Sequence, residues 1–329
     1  MDTVRVEEEN QASPQKPIKM PKNKKMSPKT KRAIKKHLFV YGMLSVAIIH
    51  FLVFFVYVNF DSFFIAFKDL HTGAFTFNNF TYFFNDLKLG ADSPILQTLT
   101  NTLIYFFTGI LCNAISFVFA YFIYKKVLFY KFYRLMFVVP MIVSGAALAM
   151  IYMNFLSVDG PLEAIYKAIS GGKNLPGLLY HEKYATWTIV AFVIWTGLGM
   201  NLIMFSGAMN RIPISVIEYA RIDGVNTFRE MFQIVLPIVA PTFGTVMFLS
   251  CINVFGATGP ILLFTNGRFE TSTISFWMYQ NIVETSQAGA ESQYNLASAY
   301  GLMLSLASVP IVIFMRWLMN RMSKNEIAF

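Results

Sequence analysis

Six apolar runs, each close to the ~20 residues that a helix needs to cross a bilayer, organise this sequence: Leu38–Phe60, Thr102–Tyr124, Phe132–Phe155, Ala185–Ala208, Ile238–Leu263 and Leu296–Leu318. Polar segments of unequal length separate them. The pattern predicts an all-α integral membrane fold with six transmembrane helices. Leu38–Phe60 is too long for the apolar part of a secretion signal and no small-x-small cleavage site follows it, so it is expected to remain as a span. Residues 1–37 are rich in Lys, Pro and Ser with almost no large apolar side chains. They are expected to form a disordered basic arm, leaving 38–329 as the membrane domain.

One polar segment, residues 209–237 between the fourth and fifth runs, is strongly patterned. Pro213 suits the first turn of a helix, Val216 and Ala220 share one face, Ile217 and Arg221 share the next, and Gly224 supplies a stop. A second helix is expected from Thr227, where Thr227 and Glu230 form a capping box and Phe228, Phe232 and Val235 form an apolar stripe. Pro237 and Pro241 then mark the return into the bilayer, because each lacks a donor and bends or breaks a helix. The expected unit is a helix-turn-helix at the membrane surface. With small Ala220 and acidic Glu218, its first helix has the features of a segment that docks into a groove on another protein. A packed surface loop is the competing reading.

Charge orients the spans. The net charge is +9, and residues 1–37 hold eleven Lys and Arg against four Asp and Glu, so the remainder is nearly neutral and nucleic-acid binding is not indicated. With the N-terminus in the cytoplasm, 21 of the 27 basic residues fall on the inner side, as the bias of Lys and Arg toward cytoplasmic loops requires. Both termini and the 209–237 loop are then cytoplasmic. The arm serves as an orientation signal or adds attraction to anionic headgroups at roughly 1 kcal/mol per charge. Cys112 and Cys251 fall inside apolar runs and read as small hydrophobes, with neither a disulfide nor a metal site expected.

The middle of every run is free of Lys, Arg, Asp and Glu; Arg316 lies close to the end of the last. Ion-coupled carriers keep an ionisable group at mid-membrane, so that alternative lacks its chemistry and the energy for transport is expected from elsewhere. His50, deep in the first run, reads either as a packed neutral side chain or as a proton relay. Uncharged polar and aromatic residues do occur within the runs: Asn113, Tyr152, Asn154, Trp195, Asn201, Ser250, Asn253 and Phe255. Such groups offer hydroxyl partners and stacking faces to a sugar, with Asn253 and Trp195 the first choices. Interhelical hydrogen bonds of about 1 kcal/mol each are the competing use. No phosphate loop is present; Gly171-Gly172-Lys173-Asn174 lacks its first Gly and its hydroxyl, so ATP hydrolysis by this chain is not expected.

Glu218-Tyr219-Ala220, Asp223-Gly224 and Ile234-Val235-Leu236-Pro237 resemble the signature loop of ABC importer permeases, in which Glu-Ala-Ala is followed by Gly and then Ile-x-Leu-Pro. Tyr219 stands where that pattern usually has Ala. Trp195, Gly207 and Arg211-Ile212-Pro213, Asn101-Thr102-Leu103, Arg134 with Pro140, and Asp159-Gly160-Pro161-Leu162 are similar to the carbohydrate-uptake branch, of maltodextrin and glycerol-phosphate type. Where that branch shows Thr-x-Gly-Gly-Pro, this chain has Thr265-Asn266-Gly267-Arg268, which leaves the substrate subclass open. The tail Lys324–Phe329 is unlike that of the companion permease type and points to the first subunit of a heterodimer.

The resemblance implies a multi-pass subunit of the bacterial cell membrane that forms the pathway for a sugar or oligosaccharide. A polyol or glycerol-phosphate permease is the alternative. The implied partners are a second homologous permease, two ATP-binding cassette ATPase subunits, an extracellular solute-binding protein and membrane lipids. ATP and Mg would be bound by the ATPases, and no cofactor by this chain. Glu218, Tyr219, Ala220, Asp223, Gly224, Leu236 and Pro237 would couple to the ATPase, and Asn253, Trp195, Tyr152, Asn201, Asn113 and Phe255 would line the pathway.

Overall fold

A computed structural model describes residues 28–69, 72–90, 93–287 and 293–324. Most of the basic arm and the C-terminal residues 325–329 lie outside the described residues. The helices are α1 (Pro28–Phe51), α2 (Val58–Ala66), α3 (Asn78–Lys88), α4 (Pro94–Tyr124), α5 (Tyr130–Ile142), α6 (Gly145–Leu156) and α7 (Pro161–Ser170). They continue with α8 (Glu182–Met209), α9 (Ile214–Ile222), α10 (Thr227–Glu230), α11 (Leu236–Ile252), α12 (Ile261–Phe264), α13 (Ile274–Gln287) and α14 (Tyr294–Lys324). Two π-helical turns, Leu52–Tyr57 and Met231–Val235, interrupt them. Among the described residues, five helices are long and apolar enough to cross a membrane, or six if one bent pair is a single span.

The described residues form two compact units, divided between Phe60 and Asp61. In the first, α1 begins at Pro28, so residues 28–37 are helical where disorder was expected. Proline fits a first turn, and the Lys, Arg and Ala that follow are good helix formers that need no packing to adopt the conformation. Further along, His50 lies against Phe54 with ring centroids 4.7 Å apart.

In the second unit α4 packs along α8, α5 along α8, and α11 along α14. Ser93 opens α4 as a true cap, its hydroxyl accepting from the Leu96 amide at 3.2 Å with Pro94 in the first turn. Both cysteines are buried and free. At Gly199 the α5 backbone comes so close that an added Cβ would stand 2.5 Å from the Phe137 carbonyl oxygen. That approach brings α5 onto α8 and requires glycine. Around Phe117, Tyr121, Leu202, Phe205 and Met209 a buried cluster joins α4, α8 and α11.

Two expected spans are corrected. The third, Phe132–Phe155, is not continuous: α5 and the helical segment from Gly145 to Ser170 meet at an angle of 111°. Val143 is extended and Ser144 precedes a new helix whose Leu148 amide bonds the Ser144 carbonyl at 3.0 Å. Pro140 removes a donor within α5, and Ser144-Gly145 favours a helix end over a helix interior. The fifth, Ile238–Leu263, starts earlier and ends earlier, running Thr227–Ile252. Gly256, Gly259 in the left-handed region at φ +52° and Pro260 end it in a turn. Outside these two spans, the short helix α7 follows Gly160, with Pro161 in its first turn.

Candidate functional site: a mid-span cleft and a loop tied to its helices

The 209–237 segment divides into two parts. α9 is delimited by the expected residues, although Pro213 is its N-cap and not a first-turn residue; Gly224 lies beyond its end at φ +68°, a conformation that a side chain would strain. Ile217 and Ala220 are buried, whereas Glu218, Arg221 and Asp223 are exposed. Ile214, Tyr219 and Ile222 leave 73%, 69% and 78% of their surface exposed. A short helix with one small, buried face therefore carries large apolar side chains and charges outward.

The second helix is not the capping box that was expected. Asn226 is the N-cap, without a side-chain bond, and Thr227 is already helical. The Glu230 side chain turns instead to Lys125, whose Nζ donates to both carboxylate oxygens at 2.8 Å. Only 3% of Glu230 is exposed, and a buried carboxylate finds more from an ammonium than from a backbone amide. Beside the pair, the Tyr121 hydroxyl donates to the Thr227 carbonyl at 3.1 Å. Leu236 and Pro237, expected in the loop, lie within the helix that leads into the bilayer, Pro237 in the first turn of α11. The preceding π turn widens the backbone and relieves the clash of the proline ring with the carbonyl four residues back.

Within the spans a cleft of about 340 Å³ opens between α4, α8 and α11. Its polar lining is Asn113, Asn201, Ser250 and Asn253, and its aromatic lining is Tyr105 and Phe106. Asn201 Nδ2 donates to Asn113 Oδ1 at 2.6 Å, and Asn113 Nδ2 donates to Ser250 Oγ at 2.9 Å. Asn253 reaches only its own helix, donating to the Leu249 carbonyl at 3.4 Å. The Tyr105 hydroxyl is buried and has no partner among the described residues.

Three expected pathway residues thus meet in the cleft, and three do not. Tyr152 donates to the Thr188 carbonyl at 3.0 Å and packs on Phe192 and Phe264. Trp195 is half-buried beside Phe192. Phe255 lines a separate cavity of about 240 Å³ next to Ser275 and Gly301. Their aromatic faces complete hydrophobic packing, which explains their positions without a solute. Asn101 and Thr102 are structural as well: Asn101 holds the Glu270 and Ser272 carbonyls at 2.7 and 2.9 Å, and Thr102 accepts from the Ile274 amide. Those bonds pin the loop that contains Thr265-Asn266-Gly267-Arg268.

Tyr105, Phe106 and the Lys125–Glu230 pair were not foreseen. Tyr105, Gly109 and Asn113 recur at four-residue spacing, the signature of one helix face, so their shared position was readable. The ion pair was not, because its partners stand 105 residues apart.

A bundle of apolar helices with an uncharged internal cleft and a projecting short helix defines a polytopic membrane transport protein. Residues 113–324 match the family "Binding-protein-dependent transport system inner membrane component". The chain belongs to that family and is the membrane permease component of an ABC importer. It is 25% identical over 206 residues to the "Probable starch degradation products transport system permease protein AmyD" of Thermoanaerobacterium thermosulfurigenes, covering 62% of this chain and 68% of that one. It is 26% identical over 298 residues to the "Probable ABC transporter permease protein YesP" of Bacillus subtilis, covering 87% and 93%. The fold resembles a chain of a bacterial alginate ABC transporter crystallised with its alginate pentasaccharide-bound periplasmic protein. That match has a TM-score of 0.75 at 22% identity and covers 89% of this chain and 98% of that one.

Proposed function

We propose that this permease passes a neutral sugar or oligosaccharide across the bacterial cytoplasmic membrane. It would act with a second permease, two ATP-hydrolysing subunits that bind ATP and Mg, and an extracellular solute-binding protein. The chain itself holds the pathway and leaves catalysis to the ATPases. The observation that carries the reading is the cleft: every polar side chain lining it is an amide or a hydroxyl, and none of them carries a charge at neutral pH. Amides and hydroxyls match the alternating donors and acceptors of a polyhydroxylated ring, and Tyr105 and Phe106 offer it apolar faces. A phosphorylated polyol requires a cation facing the pathway, and the cleft lining has none. The starch-product permease named above supports a neutral carbohydrate.

α9 is the surface on which an ATPase subunit would dock, Glu218 seeking a basic partner and Ile214, Tyr219 and Ile222 entering an apolar groove. Placing it in the cytoplasm, with both termini, follows the bias of basic residues described above. In the assembled transporter, Glu218→Arg and Gly224→Asp are expected to abolish uptake and release the ATPase subunits on co-purification. Retention of both would overturn the docking assignment. Uptake of radiolabelled oligosaccharides against glycerol phosphate, measured in proteoliposomes with the solute-binding protein, tests the substrate class.

A further inference from the structure

Lys125 is the C-cap of α4, and Glu230 ends α10, which runs through the π turn Met231–Val235 into α11. The ion pair therefore joins the loop ends of two helices that line the cleft. α4 brings Tyr105, Phe106, Gly109 and Asn113 to that cleft, and α11 brings Val246, Leu249 and Ser250. Farther up, the same two helices are joined again, by the bond from Asn113 to Ser250 at 2.9 Å. Between the two ties lie about 18 Å of α4, at 1.5 Å per residue. A rod fixed to its neighbour at two separated points cannot slide or rotate against it without breaking one of them.

The lower tie is well built for this purpose. Both Glu230 oxygens take the Lys125 ammonium at 2.8 Å, and the Glu230 side chain is 5% exposed against 21% for Lys125. Solvent is thus largely excluded on the carboxylate side, where screening is weakest. Tyr121, one turn earlier on α4, adds a neutral bond to the Thr227 carbonyl. Directly after Glu230 the helix is softest, because the π turn has poorer hydrogen-bond geometry than α-helix and is followed by Pro237. A pull on the loop would be absorbed in that turn if α10 were held to α11 alone.

We infer that the Lys125–Glu230 ion pair is a positioning link, making α4 follow the loop so that movement at α9 reaches the cleft on both α4 and α11. The inference rests on the docking role proposed for α9 but is separable from it. Lys125 and Glu230 touch neither solute nor ATPase in this scheme; they act through the helices that they join.

Two readouts test it. In the chain reconstituted in nanodiscs, with Cys112→Ala and Cys251→Ala, spin labels are placed at exposed Leu128 and Phe228. The native pair is expected to give one narrow distance distribution, Glu230→Gln a broad one, and the swapped pair Lys125→Glu with Glu230→Lys a narrow one again. An equally narrow distribution in Glu230→Gln overturns the link, whatever α9 docks on. In the assembled transporter, solute taken up per ATP hydrolysed is expected to fall at least tenfold in Glu230→Gln while the ATPase subunits still co-purify, with recovery in the swapped pair. A ratio within twofold of the native one overturns the link; failure of the native chain to bring down an ATPase overturns the docking role and leaves the first readout to decide. If Glu230→Gln does not fold, the swapped pair decides both readouts against the native chain, and a broad distribution or a tenfold lower ratio there overturns the link.

Discussion

The loop end of the bundle and the cleft inside it handle polar groups in opposite ways. At the loop end a buried carboxylate is paired with a half-buried ammonium, Lys125 reaching both oxygens of Glu230 while Tyr121 closes the side. In the cleft there is no charge, the amides are bonded in a chain from Asn201 to Asn113 to Ser250, and the Tyr105 hydroxyl is left over. A saturated buried pair resists change, since removing either partner strands a charge in a poor solvent. A set of neutral donors and acceptors with spare capacity exchanges partners at low cost. The difference suits the proposed transport cycle: stiffness where an ATPase would pull, and adaptability where a solute would pass.

Substitutions that treat the two regions alike expose this contrast. The largest effect is expected from Glu230→Leu, which leaves Lys125 partly buried without a counter-charge and should cost about 3–5 kcal/mol, measured as equilibrium unfolding in mixed micelles. Adding Lys125→Met should restore most of that loss. Tyr105→Phe should act in the other direction. Removing a buried, unbonded hydroxyl is expected to stabilise the folded chain by about 1 kcal/mol or more while raising the half-saturation concentration for solute uptake. A loss of stability there would show that the hydroxyl is satisfied.

Asn113→Ala breaks the bonds with Asn201 on α8 and Ser250 on α11, together with a weak one to Met247 Sδ, and at roughly 0.6 kcal/mol for each good bond in a bilayer the expected loss is about 1 kcal/mol. The same unfolding measurement checks it, and a loss as large as that of Glu230→Leu would erase the contrast. The smallest effect belongs to the turn before α7, outside the spans. The backbone amide of Asp159, at 2.7 Å, and the Lys167 ammonium hold the Glu163 carboxyl below the usual carboxylate range. A lowered value means that the contribution is fully present above the unfolded value, near 4, and is lost as pH falls through the folded one. Comparing Glu163→Gln with the native chain below pH 4 should show the native chain losing its small advantage in melting temperature, and the two should remain apart at pH 7.

Much of this arrangement was readable in particular residues. The apolar runs located the spans because a bilayer demands length and hydrophobicity before anything else, and α8 spans Glu182–Met209 where Ala185–Ala208 was expected. Pro213 and Gly224 delimited α9, since each acts through its own backbone geometry. Asn113, Asn201 and Asn253 were singled out because uncharged amides stand out in apolar runs, and all three line the cleft, Asn113 and Asn201 through the interhelical bond that was the competing reading. Trp195, Tyr152 and Phe255 were named for the same reason and point elsewhere, because an aromatic ring is equally at home in packing and no sequence pattern distinguishes the two uses. The expected box at Thr227 failed because Glu230 had a stronger partner in space than in its own turn.

The sequence by itself determined the local and additive properties: which stretches are apolar enough to span, where a proline or a left-handed glycine ends a helix, and which family motif the loop carries. Each depends on residues within one turn or one run. Only the tertiary structure decided which helices lie side by side, and with that the break at Val143–Ser144, the cleft shared by Tyr105, Asn113 and Ser250, and the salt bridge from Lys125 to Glu230. These depend on the close approach of segments far apart in sequence, where the energy of a buried charge or amide is set by what stands opposite it.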